Sequence, residues 1–162
     1  MPNSIRRLSG PEEARLCASI MASTDPWLKL GRGFDGCLSV IGDPDREVWL
    51  ATEGDAIRGF IVLNMHAGPL TGYIQSICIT PEDRGKGLGT ELVRFAEKRI
   101  FAESANVFLC VSSFNPKARA LYERLGYETV GELKDYIVRG HSEILMRKSL
   151  SPIRDFTPAK SL

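Results

Sequence analysis

Ser76-Ile77-Cys78-Ile79-Thr80-Pro81-Glu82-Asp83-Arg84-Gly85-Lys86-Gly87-Leu88-Gly89 runs from an apolar, β-branched segment through an acidic turn into glycines at alternate positions. Ile77 and Ile79 close a run that begins at Tyr73, and Pro81, which lacks the N–H that a sheet ladder needs, ends it, so the segment reads as a buried strand. Past the turn, Leu88, Leu92, Ala96 and Ile100 recur every fourth position, the spacing of a helix with one buried stripe. Gly85, Gly87 and Gly89 therefore stand at a helix N-terminus. The first turn of a helix leaves N–H groups without internal partners and carries the positive end of the macrodipole. Glycines keep Cβ atoms away from those groups, and Arg84 and Lys86 add positive charge at the same place. The stretch reads as a pyrophosphate cradle. A strand-to-helix turn that uses glycine only for backbone freedom is the plainer reading of the same letters.

Two familiar phosphate motifs are excluded by spacing. A P-loop needs Gly-Lys followed by Ser or Thr, with a second glycine five positions before; here Gly85-Lys86 is followed by Gly87, and position 80 is Thr80. A dinucleotide fingerprint counted from Gly85 would need glycine where Thr90 stands. Gly31-Arg32-Gly33-Phe34-Asp35-Gly36 satisfies that fingerprint by letter, but no strand precedes it and Asp43-Pro44 closes the following segment before a helix can grow, so it reads as a loop.

The rest of the chain supplies the frame. Ile5 to Leu8 suits a short strand, and Pro11-Glu12-Glu13 opens a helix whose apolar positions are Ala14, Leu16, Cys17, Ile20 and Met21. Asp25-Pro26 begins a second short helical piece with Trp27, Leu28 and Leu30. Glu47 to Thr52, Arg58 to Met65 and Gly72 to Ile79 form an antiparallel meander. The continuous apolar run Val107 to Val111 returns through a crossover helix and is expected to lie parallel to its predecessor. Asn115 as N-cap, Pro116 at the first helical position and Gly126 past the end bound another helix. Tyr127 to Val138 and Ser142 to Lys148 make a last pair of strands around Arg139-Gly140-His141.

A chain of 162 residues has the length of one domain, expected over 1–150, with 151–162 an irregular tail. Lys plus Arg number 21 against 20 acids, a net charge of +1, which gives no sign of a nucleic-acid or membrane partner. Cys17, Cys37, Cys78 and Cys110 lie far apart and lack metal-site spacing, so reduced thiols and no metal are expected. The opening residues carry no apolar core of secretory length, which points to the cytoplasm.

Arg84-Gly85-Lys86-Gly87-Leu88-Gly89, directly after a strand and its turn, resembles the acetyl-CoA signature of the GCN5-related N-acetyltransferases: Gln or Arg, two residues, Gly, one residue, Gly or Ala. Asn115-Pro116-Lys117-Ala118-Arg119-Ala120-Leu121-Tyr122-Glu123-Arg124-Leu125-Gly126-Tyr127 resembles that family's other block, an Asn-capped helix with a tyrosine that ends in Gly and an aromatic. The resemblance runs from about Ile5 to Lys148 and is weak before Glu47. It implies an α/β (α+β) fold with a mixed sheet of six to seven strands, an antiparallel N-terminal meander, a central parallel pair and about four flanking helices. It implies acetyl-CoA as cosubstrate and direct acetyl transfer to a primary amine, either a small molecule or a peptide. Main-chain groups of Ile77, Cys78 and Ile79 would hold the pantetheine arm, Arg84 through Gly89 the pyrophosphate, and Asn115 and Tyr122 would also meet the cofactor. Tyr122 matches the tyrosine that protonates the departing thiolate, and Trp27, Gln75 and Tyr136 fall where an acceptor is met; Trp27 also suits ordinary core packing.

Tyr73 and Cys110 stand where branches of that family carry a glutamate base. The expectation is therefore that no single carboxylate serves as base and that Tyr73 orients a relay water; His66 and Tyr136 are other candidates. A coenzyme A-binding regulatory module without turnover is the alternative function, and whether the chain forms a homodimer stays open.

Overall fold

The computed structural model describes residues 3–159. Seven strands, β1 (Ser4–Arg7), β2 (Glu47–Glu53), β3 (Ala56–Ala67), β4 (Leu70–Ile79), β5 (Asn106–Ser112), β6 (Glu128–Leu133) and β7 (Glu143–Ser149), form a sheet in the order β1-β2-β3-β4-β5-β7-β6. Four α-helices lie among the described residues: α1 (Gly10–Ala22), α2 (Phe34–Ile41), α3 (Leu88–Phe101) and α4 (Pro116–Arg124). β1 to β3 pair antiparallel in sequence order, β4 and β5 run parallel with Tyr73 opposite Phe108 and Ile74 opposite Leu109, and β7 is antiparallel to both β5 and β6. This is the mixed sheet with a central parallel pair that the sequence predicts. None of the helices is long and apolar enough to cross a membrane.

The chain divides into two compact units. One holds the chain to Asn64 together with Gln75–Arg94. Its core gathers Ala14, Cys17, Ala18 and Met21 of α1, Cys37 and Ile41 of α2, and Leu50, Phe60 and Cys78 from the strands. α1 forms because its small and apolar residues fall at three- and four-residue spacing behind Pro11, with Glu12 and Glu13 against the positive end of the dipole. Glu13 also accepts the Ser9 N–H at 2.7 Å and pairs with Arg6 at 2.6 Å, which ties β1 to the helix start. Leu16, grouped with the buried stripe by spacing, is 52% exposed.

α2 is a correction: it grows inside the segment read as a glycine loop. Asp43-Pro44 does end it, yet Phe34 to Ile41 leaves room for two turns, and Phe34, Cys37, Leu38 and Ile41 stand at the i, i+3, i+4, i+7 spacing of one face. Asp25 to Leu30, read as helical, forms consecutive turns instead.

The second unit holds Met65–Ile74 and the chain from Phe95 onward. Ala96, Ile100, Val107, Leu109, Val111, Leu125, Tyr127, Ile144 and Met146 are buried there. Gly72, at φ +82°, is required twice over, because a Cβ would collide with the Asn106 carbonyl and the Ile100 side chain. β6 stops at Leu133 and not at Val138: Asp135 takes φ 51°, and its carboxylate accepts the Gly140 N–H at 2.6 Å, folding residues 134–142 into a loop. The tail past Ser151 is more ordered than its polarity suggests. It contains a 3-10 turn, Ile153–Asp155, and the Ala159 N–H donates to the Ala102 carbonyl at 3.1 Å. Lys160, Ser161 and Leu162 lie outside the described residues.

Candidate active site

In the first unit the turn between β4 and α3 is built by Thr80 and Asp83. The Thr80 N–H donates to the Arg58 carbonyl at 3.0 Å, and the Thr80 hydroxyl donates to Asp83 Oδ2 at 2.8 Å. Arg58 Nη1 and Lys86 Nζ stand 3.4 and 3.5 Å from the same carboxylate. The Thr80 hydroxyl, then the Arg58 and Lys86 charges, hold the Asp83 carboxyl below its ordinary range, so it stays ionised and keeps the turn closed. Arg84 reaches back to the Ile79 and Asp25 carbonyls, each at 3.4 Å.

Gly85 and Gly87 then adopt φ +73° and +88°, the left-handed region, and a Cβ on either would meet nothing within 4 Å. The backbone demands glycine there, and the space that a side chain would fill stands open beside the first turn of α3. Gly89 differs, lying inside the helix that begins at Leu88. The Glu91 N–H donates to the Gly87 carbonyl at 3.1 Å, so the N–H groups before Glu91 precede the helical ladder. An oxyanion fits this cradle on three counts: the N–H groups of a helix's first turn, room for approach, and the side chains of Arg84 and Lys86. Ile77 and Ile79 are half-buried on β4, while the Cys78 side chain is buried in the core with its thiol pushed up to about 12 by burial. That thiol packs; only its main chain remains for a ligand. Trp27 is 8% exposed within the same core, so packing occupies its ring. Gln75 is half-buried on β4. A separate cavity of about 460 Å³, lined by Arg7, Arg15 and Arg46 among others, contains none of the candidate site residues named from the sequence.

In the second unit Asn115 caps α4: its Oδ1 accepts the Ala118 N–H at 3.3 Å. Gly126, at φ +94°, closes the far end. Tyr122 is half-buried with its ring edge-on to Tyr127, centroids 6.0 Å apart. Burial pushes its phenol up to about 12, so the hydroxyl keeps its proton at neutral pH.

Tyr73 lies in the same unit, and its side chain interacts with that of Cys110, two residues beyond its register partner Phe108. Burial first, and then that contact, raise Tyr73; burial also raises Cys110, which argues against a thiolate nucleophile. Sequence reasoning missed the next residue. Glu143, at the start of β7, is 6% exposed, sits opposite Ser112 of β5 and accepts the Ser112 hydroxyl at 2.6 Å. Its charge acts on both Tyr73 and Cys110. Burial raises the Glu143 carboxyl above its ordinary range, and the Ser112 bond opposes that rise. The available signal was an acid at the head of the apolar run Ile144-Leu145-Met146. Tyr136, 65% exposed on the loop after β6, also acts electrostatically on Tyr73, and His66 is exposed.

Comparison with known proteins follows the same residues. The model of the acetyltransferase (GNAT) family matches residues 12–127. The chain is 26% identical over 148 residues to N-alpha-acetyltransferase RimI of Mycobacterium tuberculosis, covering 90% of this chain and 89% of that protein. It is 24% identical over 136 residues to a chloroplastic GCN5-related N-acetyltransferase 6 of Arabidopsis thaliana, covering 79% of this chain and 46% of the relative, and so spans about half that protein's length. A crystal structure of aminoglycoside 6'-N-acetyltransferase complexed with coenzyme A shares the fold, with a TM-score of 0.73 at 19% identity over 92% of this chain and 98% of that one. The family match takes in most of the chain, from α1 through the glycine cradle to the end of the Asn-capped helix, and the protein belongs to the acetyltransferase (GNAT) family.

Proposed function

We propose that this protein moves an acetyl group from acetyl-CoA directly to a primary amine, with residues 1–150 acting as one catalytic domain. The observation that carries the reading is the left-handed Gly85–Gly87 turn, open on its Cβ side at the start of α3. Arg84 through Gly89 would hold the pyrophosphate, and main-chain groups of Ile77, Cys78 and Ile79 the pantetheine arm, one N–H polarising the thioester carbonyl. Tyr122 would protonate the departing thiolate, for which a phenol that stays protonated is suited. Asn115 would add a cofactor contact to its capping role. On the acceptor side, Gln75 and Tyr136 would line the amine's approach, and Tyr73 would order a water. Two of the proteins named above are an N-alpha-acetyltransferase and an aminoglycoside 6'-N-acetyltransferase, and both a peptide and a small-molecule amine suit this chain. The four free cysteines suit a reducing compartment, and the reading places the protein in the cytoplasm.

The test is calorimetry with acetyl-CoA, followed by release of free thiol with a panel of primary amines. Binding together with amine-dependent thiol release is expected. Binding without turnover of any amine would replace the transferase with a coenzyme A-binding regulatory module, and no binding would remove both.

A further inference from the structure

The sheet order β5-β7-β6 brings a carboxylate to strand positions that the sequence leaves without one. Tyr73 on β4 stands opposite Phe108, so it shares a face with Cys110 two residues along β5. Ser112, two residues further, shares that face again and is paired with Glu143. Beyond this pair the two strands stay clamped: the Ser113 N–H donates to the Ser142 carbonyl at 2.8 Å, and the Ser142 N–H donates to Ser113 Oγ at 3.1 Å. Glu143 is thus held on rigid backbone, with the Ser112 hydroxyl at 2.6 Å on one oxygen. Among the described residues, the groups shown on its face are Ser112 and Cys110 from β5, Tyr73 from β4 and Leu133, its register partner on β6. None of these is a cation. A buried carboxylate without a positive partner is costly, and stability alone would favour an apolar residue there.

We propose that Glu143 is the base of the transfer reaction, taking the proton of an acceptor that arrives as a primary ammonium ion, with Ser112 as its positioning residue. The inference rests on the transfer reading above. The ammonium gives one proton to the Glu143 carboxylate and becomes a neutral amine. Its nitrogen attacks the thioester carbon, the C–N bond forms, and the C–S bond then breaks. Thiolate leaves with the proton of Tyr122, which is restored by the second proton lost from nitrogen. Glu143 passes its proton to solvent. The balance is ammonium plus acetyl-CoA to amide, free thiol and one proton.

The acceptor class is accordingly a cation at neutral pH, and the pH profile separates this base from a water relay. The experiment measures kcat/KM against pH with acetyl-CoA and three probes, phenethylamine, spermidine and a Ser-Ala-Ala amide. For the native protein the profile is expected to rise through an acid limb to a neutral plateau. Glu143→Gln is expected to lose that limb and about 10²–10⁴-fold in rate, leaving a residue of activity that climbs with the free amine, about one molecule in a thousand at pH 7 for an amine of pKa near 10. Glu143→Asp should recover part of the rate with the limb retained. Ser112→Ala should move the limb to higher pH, because the charged carboxylate loses its donor, and acetyl-CoA affinity should be unchanged in all three. Native rate and native limb in Glu143→Gln would overturn the assignment while leaving the transferase standing. Should that variant fail to fold, an unmoved limb in Ser112→Ala would overturn it equally. A native protein that binds acetyl-CoA and turns over none of the probes would overturn the transfer reading and this assignment with it.

Discussion

Tyr122 and Glu143 are pushed the same way by burial and have opposite uses in the proposed reaction. A phenol raised to about 12 remains a donor throughout the physiological range, whereas a carboxyl raised above its ordinary range takes up a proton more readily than an exposed one. Tyr122→Phe keeps the ring that meets Tyr127 edge-on and removes only the proton. Its kcat is expected to fall about ten- to a thousand-fold with acetyl-CoA affinity nearly constant, which steady-state kinetics and calorimetry together decide. A native kcat would make Tyr122 a packing residue. For Glu143 the stability consequence has the reverse sign to that of an ordinary ion-paired acid. Its folded pKa lies above its unfolded value, so the folded state binds the proton more tightly. Its contribution is complete below the unfolded pKa, about 4.3, and is lost as pH rises through the folded value. Glu143→Gln should therefore melt close to the native protein at pH 4 and above it at pH 8, read by thermal denaturation at both values. A gap that narrows with rising pH would contradict the burial cost on which this reading depends.

At the scale of elements, the turn into α3 combines a frame and an opening. Thr80, Asp83 and Arg58 hold the frame by hydrogen bonds and ion pairs, and Gly85 and Gly87 supply the opening by backbone conformation. The two can be separated by mutation. Gly87→Ala puts a Cβ at φ +88°, which costs about 1–2 kcal/mol of stability and clashes with nothing in the protein. Acetyl-CoA affinity should drop at least tenfold if, as proposed, the phosphate lies in the open space that this Cβ would enter. Thr80→Val should cost a comparable amount, about 1 kcal/mol for one hydrogen bond, with affinity changed much less. Calorimetry and chemical denaturation on both variants check the contrast, and equal losses of affinity would mean the glycines serve only the turn. Both this turn and the Asn115-capped helix were legible in the sequence because their signals are local: Pro81, alternate glycines, an N-cap with Pro116 behind it, and Gly126 past the end. α2 was not, since three glycines around Arg32 and Phe34 outweighed a four-residue apolar stripe in so short a segment. Glu143 was illegible for a different reason. Its place beside Ser112 depends on β7 inserting between β5 and β6, a pairing between residues 31 apart that no local pattern encodes.

For the molecule as a whole, a net charge of +1 means that a polyanionic ligand gains little from the general field of the protein. The ligand's negative charge must therefore be met locally, in the proposed site at the cradle, where Arg84 and Lys86 are exposed and open to screening by salt. Binding to the folded state alone raises stability by mass action, about 2.7 kcal/mol at one hundred times Kd. In a chain of this length each kcal/mol moves Tm by about 2–4 °C, so saturating acetyl-CoA should raise Tm by about 5–11 °C. A nicotinamide dinucleotide at the same concentration should leave Tm nearly unchanged, because the spacing from Gly85 lacks a glycine at Thr90. Raising the salt from about 0.05 M to about 0.5 M, which shortens the screening length severalfold, should shrink the acetyl-CoA shift, and Gly87→Ala should cut it by half or more. Differential scanning fluorimetry over these conditions reads all three. An equal shift with the dinucleotide would show that the cradle recognises any pyrophosphate, and the restriction to acetyl-CoA would then have to come from the pantetheine arm along Ile77 to Ile79.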